Sequence, residues 1–105
     1  MSVDVEDRST VRLKALAEPL RWRILQLLGA EELCVCHLVD ELGVAQPLIS
    51  HHLRVLREAG LVSSSKHRYW TYYRLRPEAL RDLGRAVTDL ADAAPSPSDR
   101  RRPCC

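Results

Sequence analysis

No stretch of the 105-residue chain approaches the roughly 20 apolar residues that a membrane-spanning helix needs. The segment from Met1 to Asp7 is acidic and has no apolar run, so we do not expect a secretory signal there. Paired carboxylates, a nucleophile triad and a phosphate-binding glycine loop are also missing from the sequence. These absences predict a cytoplasmic protein that makes no contact with a membrane and is not an enzyme.

Four cysteines are present, and two of them, Cys34 and Cys36, form a Cys-x-Cys pair. Thiols stay reduced in the cytoplasm, so cysteines there more often bind metals or undergo redox chemistry than form structural disulfides. Thiolates are the ligands that soft ions prefer. The pair therefore predicts a soft-metal site, with two small buried apolar side chains as the alternative.

The net charge of +2 is unevenly distributed along the chain. Residues 1–45 carry five Lys or Arg against eight Asp or Glu, whereas residues 46–76 carry six against one. The remaining residues are balanced, with five of each sign. A basic block confined to the middle of the chain indicates a surface that binds nucleic-acid phosphates, and a merely solvated basic face is the alternative.

The composition is typical of one small globular domain, with 46% apolar and 29% charged residues. We expect a mainly α-helical fold with a small β-hairpin at residues 9–94. A disordered N-terminus would precede it at 1–8, and a flexible, cysteine-containing tail would follow at 95–105. So short a chain buries a limited core, which favours pairing with a second copy.

Apolar residues at helical spacing predict four helices before the hairpin. Ser9 or Thr10 is expected to cap the first, and Pro19 lies where the second should begin. The third and fourth are predicted to span Cys34 to Leu42 and Gln46 to Ala59. Two helices joined by a short, glycine-containing turn form a helix-turn-helix.

The residues from Leu61 to Leu75 favour β-structure around a polar tip, Lys66-His67-Arg68, and predict a hairpin. A basic hairpin after a recognition helix is a wing. Pro77 should open a last helix, whose apolar residues follow a heptad pattern. This apolar seam predicts a homodimer formed through the last helix and also the first. The alternative is that the seam packs on its own domain. The seam residues are Leu80, Leu83, Val87, Leu90 and Ala94.

The fourth helix is predicted to read DNA. With Ile49 at the centre of its buried face, a step of about 100° per residue turns the polar positions toward solvent. Arg54 suits a guanine edge or a phosphate, and Gln46 suits adenine, whereas basic wing residues would neutralise phosphates. The predicted DNA-binding residues are Gln46, Pro47, Ser50, His51, Arg54, Arg57, Lys66 and Arg68.

The thiol pair would lie at the start of the predicted third helix. Two positions on an ideal helix that are two residues apart point about 200° away from each other. Cys34 and Cys36 would then be unable to hold one ion while the turn stays helical. We therefore expect ion binding to unwind or tilt the first turn of the helix that precedes the DNA reader.

Four segments carry a resemblance to a known family: LAEPLRWRIL at 16–25, ELCVC at 32–36, ISHHLRVLREAGLV at 49–62 and YYRL at 72–75. They resemble the ArsR/SmtB family of winged-helix metal-sensing repressors, and within it the arsenical-resistance repressors. The resemblance implies a homodimeric winged helix-turn-helix protein that sits on operator DNA and represses a resistance operon. It also implies release when trivalent arsenic or antimony binds the cysteines.

Two departures from the family pattern affect the site. The arsenic-sensing motif reads Glu-Leu-Cys-Val-Cys-Asp-Leu-Cys, and its third cysteine aligns with Val39 while its aspartate aligns with His37. Because trivalent arsenic favours three thiolates, either two cysteines suffice or Cys104 or Cys105 of either subunit completes the site. His37 is a possible nitrogen ligand, with a plain surface histidine as the alternative. The last helix lacks the histidines of zinc-sensing relatives, which argues against a zinc site there.

Two other functions are compatible with the thiols. A redox-sensing winged-helix repressor would form disulfides under oxidant, using Cys34, Cys36 or the tail pair. A Cys-x-Cys thiol oxidoreductase is a rival from another class, but no thioredoxin-like βαβ pattern accompanies the motif. The interpretation we adopt is a metalloid-responsive repressor whose metal site contains Cys34 and Cys36.

Overall fold

The computed structural model describes residues 7–97 and 101–104. Within these ranges the chain forms five helices and a three-stranded antiparallel sheet, which confirms the predicted mainly α, winged helix-turn-helix fold. None of the helices described is long and apolar enough to cross a membrane. The elements are α1 (Arg8–Leu16), α2 (Pro19–Leu28), β1 (Leu33–Cys34), α3 (Val35–Leu42), α4 (Gln46–Glu58), β2 (Val62–His67), β3 (Trp70–Leu75) and α5 (Pro77–Ala93).

The helical part of the chain begins with α1 and ends with α5. Helix α1 begins one residue before the predicted limit because Asp7 is its cap and accepts a 2.8 Å hydrogen bond from the Thr10 backbone N–H. The expectation that Ser9 or Thr10 would be the cap is therefore wrong. Residues 95–97 and 101–104 form no helix or strand, while the predicted disorder of residues 1–6 and the tail positions 98–100 and 105 lie outside the described residues.

The two helices of the helix-turn-helix pack on a shared apolar core. Gly43 ends α3 in the left-handed conformation, with φ of 66°, which glycine adopts without a steric penalty. Helix α4 buries the face predicted for it, together with His52. The largest fully buried side chains are Ile24, Leu38, Ile49, Leu53, Leu56, Leu61 and Val62.

The sheet contains a strand that the sequence did not predict. Strand order is β1-β3-β2, so β3 pairs with both the hairpin partner and the short β1. Cys34 is the register partner of Tyr72, and Leu33 that of Tyr73. The wing is therefore attached through its inner strand to the segment that carries the first thiol.

The turn of the wing lies further along the chain than predicted. Lys66 and His67 belong to β2, and His67 pairs with Trp70. The turn consists of Arg68 and Tyr69, and Arg68 has a φ of 60°. The predicted tip at Lys66-His67-Arg68 is correct only for Arg68, because Lys66 and His67 continue the strand pairing.

Helix α5 buries only the first half of its heptad seam in its own domain. Leu83 is buried, whereas Val87 and Leu90 are exposed, Leu90 with 76% of its surface accessible. On α1, which contacts α5, Val11 and Leu13 are also exposed. Apolar side chains exposed along two adjacent helices form a surface suited to association.

His52 connects α4 to the first two helices. The Arg21 side chain lies with Nη1 3.1 Å from His52 Nδ1, while its Nε donates to the Ala15 carbonyl at 2.6 Å. A guanidinium only donates, so Nδ1 accepts and the imidazole is neutral. Burial lowers the pKa of His52, as do the nearby Arg21 and His51, against the opposing effect of Glu18.

We expect the free energy of unfolding to fall as the pH drops below about 6.5, the ordinary histidine pKa. As the pH falls, His52 takes up a proton in the unfolded chain before it does so in the folded chain, and this destabilises the fold. The loss of stability begins near the ordinary histidine pKa and is complete below the lowered pKa of His52 in the folded chain. Chemical denaturation from pH 7.5 to 5 measures it. His52→Gln should remove this part of the pH dependence, whereas the control His67→Gln, at an exposed position on the wing, should keep it. Equal slopes in wild type and His52→Gln would contradict the assignment.

Candidate functional site

The two thiols lie together without any distortion of α3. Cys34 precedes the helix as its N-cap, with extended backbone at φ −93° and ψ 172°, and Cys36 is the second helical residue. Their Sγ atoms are 2.8 Å apart, and both cysteines are free. The expectation that the thiols would diverge by about 200° and compete with helicity is wrong, because only one of them is on the helix.

His37 holds the backbone of Cys34 in place. Its Nδ1 accepts a 3.1 Å hydrogen bond from the Cys34 backbone N–H, and the Cys34 sulfur receives the His37 backbone N–H in return. This is a capping box in which a thiol replaces the usual hydroxyl and an imidazole replaces the usual Glu or Gln. Nδ1 also lies 3.3 Å from Cys34 Sγ, so the donor atoms of Cys34, Cys36 and His37 all fall within 4.8 Å of one another.

The two thiols differ in acidity. Burial of Cys34, which is 5% exposed, opposes ionisation, but the hydrogen bonds from the Cys36 thiol and from the His37 backbone N–H outweigh it and lower its pKa. The bond that Cys36 donates to Cys34 raises the pKa of Cys36, with smaller contributions from its own desolvation and the nearby Cys34 charge. The pair therefore loses its first proton at Cys34, and the resulting thiolate is the form that binds soft ions.

A cavity of about 300 Å³ opens beside the thiols. It joins three parts of the fold: the start of α3, the first residue of α4 and the inner strand of the wing. Trp70 forms one wall and is itself 57% exposed. The lining residues are Cys34, Val35, Cys36, Gln46, Trp70 and Thr71.

Cys104 is the tail cysteine that lies within the described residues, and it is not part of this cluster. Cys104 is exposed, and within residues 7–97 and 101–104 it does not join the group of donor atoms formed by the two thiols and His37. Cys105 lies outside the described residues. A third thiolate from either tail cysteine stays a prediction.

The residues predicted to contact DNA are all exposed. They lie on the face of α4 opposite its buried side and on the outer part of the wing. Arg57 Nη1 donates to Ser64 Oγ at 3.4 Å, which links the helix to the wing. The exposed positions are Gln46, Pro47, Ser50, His51, Arg54, Arg57, Lys66 and Arg68.

Sequence reasoning missed the closeness of the wing to the thiols. The hairpin was predicted as two strands alone, and the two residues of β1 are too few to show a strand period. Leu48 is also exposed, between the predicted contacts Pro47 and Ser50.

Comparison with known proteins points to regulatory proteins. Residues 18–64 match the family model described as bacterial regulatory protein, arsR family. An uncharacterized HTH-type transcriptional regulator of Methanocaldococcus jannaschii is 38% identical over 78 residues, which are 73% of this chain and 88% of that protein. The arsenic resistance transcriptional regulator ArsR1 of Pseudomonas putida is 42% identical over 76% of this chain, and the match spans 63% of its own length.

Solved structures share the fold. A possible transcriptional regulator for arsenical resistance is 40% identical with a TM-score of 0.68, covering 80% of this chain and 97% of that one. An ArsR-like regulator from Rhodococcus sp. RHA1 is 28% identical with a TM-score of 0.75, at 81% and 80% coverage. The homodimeric winged helix-turn-helix domain of Mb0332 from Mycobacterium bovis is 31% identical with a TM-score of 0.68, at 82% and 80% coverage.

Proposed function

Because the chain belongs to the arsR family of bacterial regulatory proteins, we propose that it is a cytoplasmic homodimer that represses an arsenic-resistance operon and leaves its operator when trivalent arsenic or antimony binds. Family membership makes it a DNA-binding transcriptional repressor and not an enzyme. The observation that carries the metalloid proposal is the pair of free thiols 2.8 Å apart beside the first residue of α4.

The chemistry of the pair suits a thiophilic ion. Thiolates are soft ligands, and the lowered pKa of Cys34 supplies one thiolate more readily than an isolated cysteine does. Cys36 is exposed, so an incoming ion reaches it first from solvent, and Cys34 then closes the chelate. The relatives named for arsenic resistance support a trivalent metalloid as the ion.

The exposed face of α4 is proposed to enter the major groove. Arg54 has the geometry to donate two hydrogen bonds to a guanine edge, while Lys66 and Arg68 on the wing neutralise phosphates. His52 and Leu53 are buried on the opposite side and hold the helix in position. The basic residues Arg54, Arg57, Lys66 and Arg68 of the block found in the sequence are all exposed.

The proposed dimer interface combines α5 with α1. Leu90 and Val87 continue the heptad seam beyond the domain core, and Val11 and Leu13 lie exposed on the neighbouring helix. A second copy would cover this apolar surface. The homodimeric state of the Mycobacterium bovis domain supports a homodimer here.

Ion binding at the thiols is proposed to affect DNA binding through direct contacts between the thiol site and the DNA-contacting elements. Cys34 pairs with Tyr72 of the wing strand, and Gln46 lines the same cavity as the thiols. An ion at the thiols would therefore displace the wing and the start of the reading helix together. A coupling of about 1–3 kcal/mol between the two ligands corresponds to roughly 5- to 150-fold weaker operator binding.

Cys34→Ser and Cys36→Ser should each leave operator binding intact and abolish release by arsenite, since serine keeps the size of the side chain but removes the soft ligand. Fluorescence anisotropy of labelled operator DNA, titrated with arsenite, measures both effects. The arsenite-free titration of each variant controls for folding.

Normal release from the double variant would disprove the thiol site. Peroxide in place of arsenite tests the redox alternative in the same assay: oxidant-dependent release, with a matching loss of titratable thiols, would favour a redox sensor.

Arg54→Ala should weaken operator binding by about 1–3 kcal/mol, because a bidentate base contact is lost. Lys66→Ala and Arg68→Ala should each lower the slope of log affinity against log salt by about 1, because each removes one phosphate contact. Arg81→Ala, an exposed arginine on α5, is the matched control and should bind normally. An equal loss in Arg81→Ala would mean that general charge, rather than the α4 face, determines affinity.

A further inference from the structure

The cavity beside the thiols indicates which trivalent arsenicals the site prefers. We infer that the preferred inducer is a monosubstituted organic arsenical, R–As(OH)₂, whose organic group occupies the cavity walled by Trp70 while its arsenic bonds to Cys34 and Cys36. The inference rests on the metalloid function proposed above and specifies the class of ligand.

The number of arsenic-binding atoms that the site supplies indicates this class of ligand. Trivalent arsenic forms three bonds, and the site supplies two thiols. The Nδ1 lone pair of His37 already accepts the Cys34 backbone N–H, and using it for arsenic would break the cap of α3. Cys104, in the described part of the tail, is not beside the pair. An organic substituent supplies the third bond without any further protein ligand.

The surroundings of the thiols fit such a substituent. The cavity of about 300 Å³ is walled by the Trp70 ring and the half-buried side chains of Val35 and Thr71. An apolar cavity of about 150 Å³ holds benzene, so this volume accommodates a methyl or a phenyl group. The ring of Trp70 offers a face on which an aromatic substituent can stack.

The binding step balances without an oxidant or reductant. Two As–O bonds of R–As(OH)₂ break and two As–S bonds form, while the two thiol protons leave with the hydroxyl groups as two water molecules. Arsenic stays trivalent throughout. The same exchange with arsenite, As(OH)₃, leaves one As–OH group in place of the organic group, so no apolar surface of the ligand is buried against Trp70.

The position of the substituent also bears on release. Gln46, the first residue of α4, and Trp70 of the wing both line the cavity. An organic group in the cavity would therefore lie beside both the reading helix and the wing strand. An organic arsenical would thus act on both DNA-contacting elements directly, in addition to the displacement that any ion at the thiols is proposed to cause.

The test compares binding of phenylarsine oxide and arsenite to the operator-free full chain by isothermal titration calorimetry. Because phenylarsine oxide binds dithiols well in general, the measured quantity is the ratio of the two affinities in each variant. Trp70→Ala should lower this ratio about tenfold, since the phenyl group loses its apolar wall. Trp70→Phe should preserve the ratio, and so should the control Trp22→Ala, a half-exposed tryptophan on α2.

Deleting residues 103–105 provides an independent arm. It should weaken arsenite binding, because a tail thiol would replace the remaining As–OH group, and leave phenylarsine oxide binding unchanged. Weakening of both would overturn the inference, as would an unchanged ratio in Trp70→Ala. Failure of the proposed function looks different: neither arsenical would then release the wild-type protein from its operator.

Discussion

The antiparallel pairing of Cys34 with Tyr72 is the interaction on which the rest of the structure depends. It keeps the backbone of Cys34 extended, so α3 begins only at the next residue and Cys34 becomes its cap. Cys34 is extended and Cys36, two residues later, is helical, and this change of backbone conformation brings the two thiols together. His37 reinforces this arrangement by accepting the Cys34 N–H. The thiol site therefore exists before any ion arrives.

The same pairing connects the thiol site to the wing. A chelate built on a helix could signal only by breaking that helix, which costs several backbone hydrogen bonds. A chelate built at a strand end can instead shift a strand, and here that strand is the inner one of the wing. The cavity adds a second route, since Gln46 and Trp70 both line it. Small movements at the thiols are thus proposed to reach both DNA-contacting elements without loss of the fold.

Local sequence signals predicted the helices well because each has a strong apolar period and a proline or glycine at an end. Ile49, Leu53 and Leu56 of α4 are buried as predicted, and the wing follows as expected. Contacts between distant segments were not predictable in this way. The two residues of β1 are too few to show a period, and their partner lies 38 or more positions later, at Tyr72 and Tyr73. The error about thiol geometry arose from that one missing strand.

Amide hydrogen exchange of the operator-free protein, with and without arsenite, tests this account most directly. The account predicts that arsenite changes exchange at Cys34, Tyr72 and Gln46, while the amides of α3 from Leu38 to Leu42 keep their protection. That result would place the response in the strand pairing and the start of the reading helix. Loss of protection throughout α3, with the pairing of β1 and β3 unaffected, would contradict the account and restore helix unwinding as the mechanism.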